Sequence, residues 1–180
     1  VCTSSDPRDK RLRTSILISS GSTNVVIDTG PDFRQQMLRE EVKTLEAVVF
    51  THEHKDHTAG LDDVRAFNYL QKRDMPIYAN EGTIERLKME FSYAFGENQY
   101  PGVPKLCIEE IDKAPFRVGD IDFQPIPVWH KDMKVLGFRI GTFAYITDAN
   151  RIPDSSLALL EGVETLVLNA LRRTSHYSHF

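Results

Sequence analysis

The sequence predicts an α/β fold, a four-layer αββα sandwich, on three observations. β-rich runs fall in two groups, one in the first half of the chain and one from residue 106 onward, each followed by segments of helical periodicity. Sheets with one apolar face each, supplied with helices, bury that surface as two packed sheets with helices outside. The run Leu45 to Phe50 is short and mostly apolar, the pattern of a buried strand.

The elements follow in order. Residues 12–19 and 24–28 are β-rich, and Gly21-Ser22-Thr23 supplies the turn of a hairpin. Pro31 opens a short helix through Met37 and Leu38, and the strand 45–50 comes next. Leu61, Val64, Ala66, Phe67 and Leu70 recur at helical spacing, residues 76–79 form a short strand, and Ile84, Leu87, Phe91, Tyr93 and Phe95 mark a second helix. Strand-type runs at 106–111, 116–118, 121–129, 135–141 and 143–147 are punctuated by Gly119-Asp120 and Gly141-Thr142. A helix over 154–161 and a strand over 164–169 complete the second group.

The 180 residues, 41% hydrophobic and 27% charged, suit one soluble domain over 1–180. The start at Val1 and the polar, His-rich end at Phe180 read as cuts at both termini. No apolar run approaches the roughly 18 residues that span a bilayer, and charges stand where a signal peptide needs an apolar stretch. A cytoplasmic protein without membrane contact is expected. Two cysteines, Cys2 and Cys107, make no disulfide framework, so free thiols are the default. A net charge of −4 argues against a broad phosphate-binding surface, which disfavours long nucleic acid and favours a small substrate. A homodimer stays open.

Three of the six histidines fall within Thr51-His52-Glu53-His54-Lys55-Asp56-His57, directly after the strand 45–50. Residues i and i+2 of a helix are separated by about 200°, so His52 and His54 converge only from a loop leaving a strand end. Imidazole and carboxylate in the pattern H-x-H-x-D-H are ligands for zinc, manganese or iron. Farther along, His130 ends Pro127-Val128-Trp129-His130 and Asp148 ends Phe143-Ala144-Tyr145-Ile146-Thr147-Asp148. Taken alone, such a histidine is as readily a hydrogen-bonded surface residue, and such an aspartate a turn or helix cap.

The H-x-H-x-D-H run, together with Val25-Val26-Ile27-Asp28-Thr29-Gly30 before it, resembles the metallo-β-lactamase superfamily over nearly the whole chain. The resemblance implies one divalent metal on His52, His54 and His130, a second on Asp56 and His57, and Asp148 bridging the two. It makes Asp28 a buried carboxylate that orients a ligand histidine or the loop rather than a ligand itself. It also implies hydrolysis by a metal-activated water. A further ligand for the second metal belongs on a strand beyond residue 180, so full occupancy is expected for the first metal and partial or none for the second.

Gly30-Pro31-Asp32-Phe33-Arg34-Gln35-Gln36, Gly60-Leu61-Asp62-Asp63-Val64-Arg65 and the terminal His176-Tyr177-Ser178-His179-Phe180 resemble the branch holding the cyclic phosphoribosyl phosphodiesterase of phosphonate breakdown. That resemblance implies a small phosphodiester substrate, cyclic ones included, and a histidine that protonates the leaving oxygen, His179 before His176. His179 and Asp56 are therefore the candidate catalytic side chains. Arg65, Arg172, Arg173 and His176 are candidates to hold a substrate phosphate, since guanidinium pairs bidentately with phosphate oxygens. The branch also carries a cysteine cluster around a structural zinc, of which Cys2 would be a remnant. Two alternatives stay beside this reading. One is a tRNA 3′-processing endonuclease of the same superfamily; the other is a binding or redox module like the pyrroloquinoline quinone biosynthesis relative that shares the Gly-Pro-Asp-Phe-Arg stretch.

Overall fold

The computed structural model describes residues 3–96 and 100–180. Cys2, with the zinc-remnant expectation attached to it, lies outside the described residues. Strands β1 (Ile16–Ser20) and β2 (Thr23–Ile27) form the expected hairpin, closed at Gly21 in the left-handed conformation that glycine adopts without strain. Strand β2 continues in parallel with β3 (Ala47–Val49), β4 (Met75–Ala79) and β5 (Leu106–Glu110). Parallel neighbours need crossovers, and these carry helices α1 (Phe33–Arg39), α2 (Lys55–Thr58), α3 (Arg65–Gln71), α4 (Glu81–Glu90) and α5 (Ser92–Phe95).

The second sheet holds β6 (Phe116–Val118), β7 (Ile121–His130), β8 (Met133–Ile140), β9 (Phe143–Ile146) and β10 (Thr165–Leu168), in the spatial order β10-β9-β8-β7-β6. Its strands pair antiparallel except β9 with β10, whose crossover contains the short helix α6 (Asp154–Leu157).

Alternation along the strands sorts the core into three apolar layers, which define the four-layer αββα order. Val25, Ile27, Ala47 and Val49 point between the sheets and meet Phe123, Leu136, Phe138 and Tyr145. Their neighbours Val26 and Val48 point the other way, under Phe33, Leu61, Val64, Phe67 and Leu87 of the helical layer. On the outer face of the second sheet, Ile126, Val128, Ala144 and Ile146 pack with Leu159, Leu160 and Val163.

Two local readings differ from expectation and a third adds to it. Residues 12–15 are not strand, because β2 ends at Ile27 and Asp28 turns away at φ 65°, leaving them no partner. They are held instead by side chains: Ser15 Oγ donates to the Asp28 carbonyl at 2.9 Å, and the Arg13 N–H donates to Asp32 at 2.7 Å. The helix expected through residue 95 breaks at Phe91, which leaves the helical region at φ −110°, ψ 36°. The second half of the histidine motif, to which the sequence reading gave no element, begins a helical turn at Lys55.

Candidate metal centre

The centre lies where strands of both sheets end. Asp28 follows β2, the histidine run follows β3, His130 ends β7, and Asp148 follows β9. Because β2 and β3 are parallel, their C-terminal ends face the same edge, so Asp28 arrives beside Thr51. Asp28 is fully buried and accepts three hydrogen bonds: the Thr51 N–H at 2.8 Å, the Thr51 hydroxyl at 2.8 Å and His57 Nδ1 at 2.7 Å. A buried carboxylate needs such a set to offset its lost hydration.

The loops that carry these groups pack backbone on backbone. Thr29 N–H donates to the His57 carbonyl and Gly60 N–H to the Thr29 carbonyl, both at 2.8 Å. A Cβ on Gly30 would collide with the Asp56 carbonyl, and one on Gly60 with the Gly30 carbonyl. Glycine is required at both places, which accounts for the Gly in Asp28-Thr29-Gly30 and for the one three residues past His57.

Each buried histidine has one ring nitrogen tied to an acceptor, which leaves the other free to ligate. His57 gives Nδ1 to Asp28, and its Nε2 is buried with no hydrogen-bond partner among the described residues. That atom stands 3.4 Å from Asp148 Oδ2 and 3.9 Å from Asp56 Oδ2. His52 Nδ1 meets Thr51 Oγ1 at 2.9 Å; the Thr51 hydroxyl proton goes to Asp28, so its oxygen accepts from His52. His52 Nε2 then faces His54 Nδ1 at 3.0 Å and Asp148 Oδ2 at 3.7 Å. His130 donates Nδ1–H to the Ser178 carbonyl at 2.8 Å.

The ligand atoms of His52, His54 and Asp148 all lie within 4.8 Å of one another, as do those of Asp56, His57 and Asp148, and those of His130, Asp148 and His179. Asp148 is common to all three sets, as a bridging carboxylate must be. His130 groups with His179 rather than with His52 and His54, although its ring centroid is 5.1 Å from that of His54. His179, expected only as a proton donor, thus stands within ligand range.

The electrostatics fit a cation. Burial alone would lower the His57 pKa, but the Asp148 carboxylate beside Nε2 and the bond from Nδ1 to Asp28, with both charges, outweigh it and raise it to about 10. Burial drives His52 well below the usual imidazole range, with the charge of His57 adding to it. Burial would raise Asp148, yet His57 and His52 hold it well below the usual carboxylate range. The two carboxylates thus favour positive charge at His57 Nε2, a proton in the metal-free protein or a metal ion in its place. The orphaned His57 Nε2, the two nitrogens meeting at His52 and His54, and the shared carboxylate form a donor set that suits a divalent ion.

His179 lies beside His130 with ring centroids 4.8 Å apart, and burial lowers its pKa, partly opposed by Asp148. His176 is 5.2 Å from His179 and accepts at Nδ1 from the Ser178 N–H at 3.3 Å. Both line a cavity of about 300 Å³ with Asn150, Arg172 and Arg173. The Arg172 guanidinium is already engaged by the Thr174 and Ser175 carbonyls. Arg65 is not part of this cavity: it pairs with Asp62 at 3.4 Å and lines a separate one on the outer face of α3. Sequence reasoning gave no role to Thr51, Asn150 or the Ser178 carbonyl. Thr51 stood inside the motif, but a backbone carbonyl leaves no trace in residue type.

A fold of this layering with this cluster defines a class. The model of the β-lactamase superfamily domain matches residues 23–180, and the chain belongs to that superfamily. Within it the chain is PhnP-like: the crystal structure of a new diphosphatase from the PhnP family matches with TM-score 0.90 and 40% identity, over 99% of this chain and 68% of that one. An octanoyltransferase of Porphyromonas gingivalis strain W83 is 39% identical over 183 residues, 99% of this chain and 37% of that protein. A ribonuclease Z of Mycolicibacterium gilvum is 25% identical over 193 residues, 93% of this chain and 65% of that protein. The chain therefore spans just over a third of the first of these curated relatives and slightly under two thirds of the second.

Proposed function

We propose that the chain is a metal-dependent hydrolase acting on a small phosphodiester, cyclic ones included. The observation that carries this reading is Asp148, whose carboxylate belongs to all three groups of potential ligands, while the buried His57 Nε2 beside it has no hydrogen-bond partner among the described residues. Zinc, manganese or iron suits the mixed nitrogen and oxygen donors. One ion would sit on His52, His54 and Asp148, with His130 reaching it by a small shift of its ring, and a second on Asp56, His57 and Asp148. When bound, a divalent cation there lowers the pKa of a coordinated water toward neutrality and offsets charge on a phosphoryl oxygen.

The chain's own groups do the rest. Asp28 and Thr51 fix the tautomers of His57 and His52 so that their ligating nitrogens are unprotonated. His54 is the exposed member of the set, so substrate approaches from its side. The cavity holding Arg173, His176 and His179 supplies positive and hydrogen-bonding groups for phosphate oxygens, and His179 would pass a ring proton to the departing oxygen.

A diphosphate linkage is a second substrate reading, favoured by the 40% identity to a protein described as a diphosphatase. A long RNA fits less well with a net charge of −4, although a ribonuclease Z is among the relatives. Metal-loaded protein incubated with bis(p-nitrophenyl) phosphate, a cyclic nucleotide and a nucleoside diphosphate is expected to turn over at least one of them, with loss of turnover in His54→Ala. Metal binding without turnover of any would favour a binding or redox module instead.

A further inference from the structure

Three stretches of chain must keep register around the centre: the β7–β8 hairpin with His130, the turn after β9 with Asp148, and residues 171–180 with His179. The third stretch runs along the second, where Phe180 N–H donates to the Ala149 carbonyl at 2.8 Å. One half-buried side chain on the turn reaches both of the others. Asn150 Oδ1 accepts from the Lys131 N–H at 2.9 Å, and Asn150 Nδ2 donates to the Tyr177 carbonyl at 2.9 Å. Its backbone N–H donates to the Trp129 carbonyl at 2.9 Å.

Trp129 and Lys131 are the immediate neighbours of His130. Ser178, next to Tyr177, supplies the carbonyl that accepts from His130 Nδ1. The bonds therefore close a ring through His130, Lys131, Asn150, Tyr177 and Ser178. Lys131 holds φ 58°, a conformation disfavoured for a residue with a Cβ, and its N–H is the one that Asn150 receives. Its ammonium group also lies 5.9 Å from the Tyr177 ring, so hairpin and terminal segment meet at this point twice.

We propose that Asn150 is a positioning residue whose carboxamide fixes His130 and the His179-bearing segment in one frame. The chemistry calls for an amide: one atom must accept from an N–H while another, on the same short side chain, donates to a carbonyl. A carboxylate keeps the first bond and has no proton for the second. Asn150→Asp therefore loses the bond to the terminal segment and keeps that to the hairpin, whereas Asn150→Ala loses both side-chain bonds and leaves the backbone bonds of the turn to Trp129 and Phe180. The inference rests on the hydrolase reading only for its activity measurement.

Three measurements on the whole chain test it: exchange of the His130 Nδ1 proton in the metal-free, nitrogen-15-labelled protein, Zn²⁺ affinity by calorimetry, and kcat and KM for bis(p-nitrophenyl) phosphate. Both variants are expected to speed the exchange by about tenfold or more, because the Ser178 acceptor loses its anchor. Asn150→Ala should weaken Zn²⁺ binding about tenfold, the lower end for loss of a group that orients a ligand, and Asn150→Asp by less than about threefold. Turnover should fall in kcat with KM nearly unchanged.

Exchange within about twofold of wild type in both variants overturns the proposal, as does a lowered melting temperature with exchange and Zn²⁺ affinity unchanged. If Asn150→Ala does not fold, the exchange rate in Asn150→Asp decides. Should the wild type leave the ester untouched, the hydrolase reading fails, and the exchange and Zn²⁺ measurements still decide on Asn150.

Discussion

At the scale of single residues, the centre depends on which nitrogen of each imidazole carries the proton, and Asp28 governs two of the three buried histidines. It takes the His57 proton directly and the His52 proton by way of the Thr51 hydroxyl. Asp28→Asn would set an NH₂ against one of these donors and push the His57 proton to Nε2, the atom that must ligate. Zinc affinity is expected to fall about 10- to 100-fold, read by titrating metal-free protein. Thr51→Val cuts only the His52 branch and keeps the Thr51 N–H bond to Asp28, so its loss should be smaller, with Thr51→Ser close to wild type. Equal losses for Asp28→Asn and Thr51→Val would contradict the relay. The candidate ligands were legible in the sequence because histidine and aspartate in a short fixed spacing have few other uses. The groups that orient them were legible only in part. Asp28 was found through a resemblance, while Asn150 and the Ser178 carbonyl come from segments far from the motif.

At the scale of elements, strands were legible because alternation along them is visible in the sequence: Val25, Ile27, Ala47 and Val49 inward, Val26 and Val48 outward. What escaped was irregular backbone. The segment 12–15 has strand composition, but strand formation needs a partner, and Asp28 withdraws it by turning to meet the histidine run. Likewise the turn at Lys55 is helical because the loop after β3 must fold back under Thr29 and Gly30 to place His57 on Asp28. That close approach yields a test. Gly60→Ala drives a Cβ into the Gly30 carbonyl and should separate the two loops at a cost of about 1–3 kcal/mol, seen as a lower denaturant midpoint. Zinc affinity should fall with it, since the same loops carry Asp28 and His57. A Gly60→Ala protein as stable and as tight for zinc as wild type would refute the packing argument.

At the scale of the whole molecule, the two sheets are joined by an apolar interior and, at one edge, by the centre. The layer order followed from composition and pattern, whereas the convergence of four strand ends on one point needed the three-dimensional register. First-sheet elements supply His52, His54, Asp56 and His57, and second-sheet strands supply His130 and Asp148. A cation held by both groups links the sheets in the folded state and has no preformed site in the unfolded chain, so its binding free energy adds to stability. With free metal at about 100 times the dissociation constant the gain is about 2.7 kcal/mol. For a chain of 180 residues that corresponds to a melting temperature about 5–10 °C higher than in the metal-free state. Chelation should therefore lower the melting temperature by this amount, and zinc or manganese should restore it. Because His130 is one of two candidate ligands from the second sheet, His130→Ala should shrink the metal-dependent rise even though Asp148 and the first-sheet residues remain. A melting temperature indifferent to chelator would show that metal adds nothing to stability, and a full rise retained in His130→Ala would show that His130 takes no part in tying the sheets together.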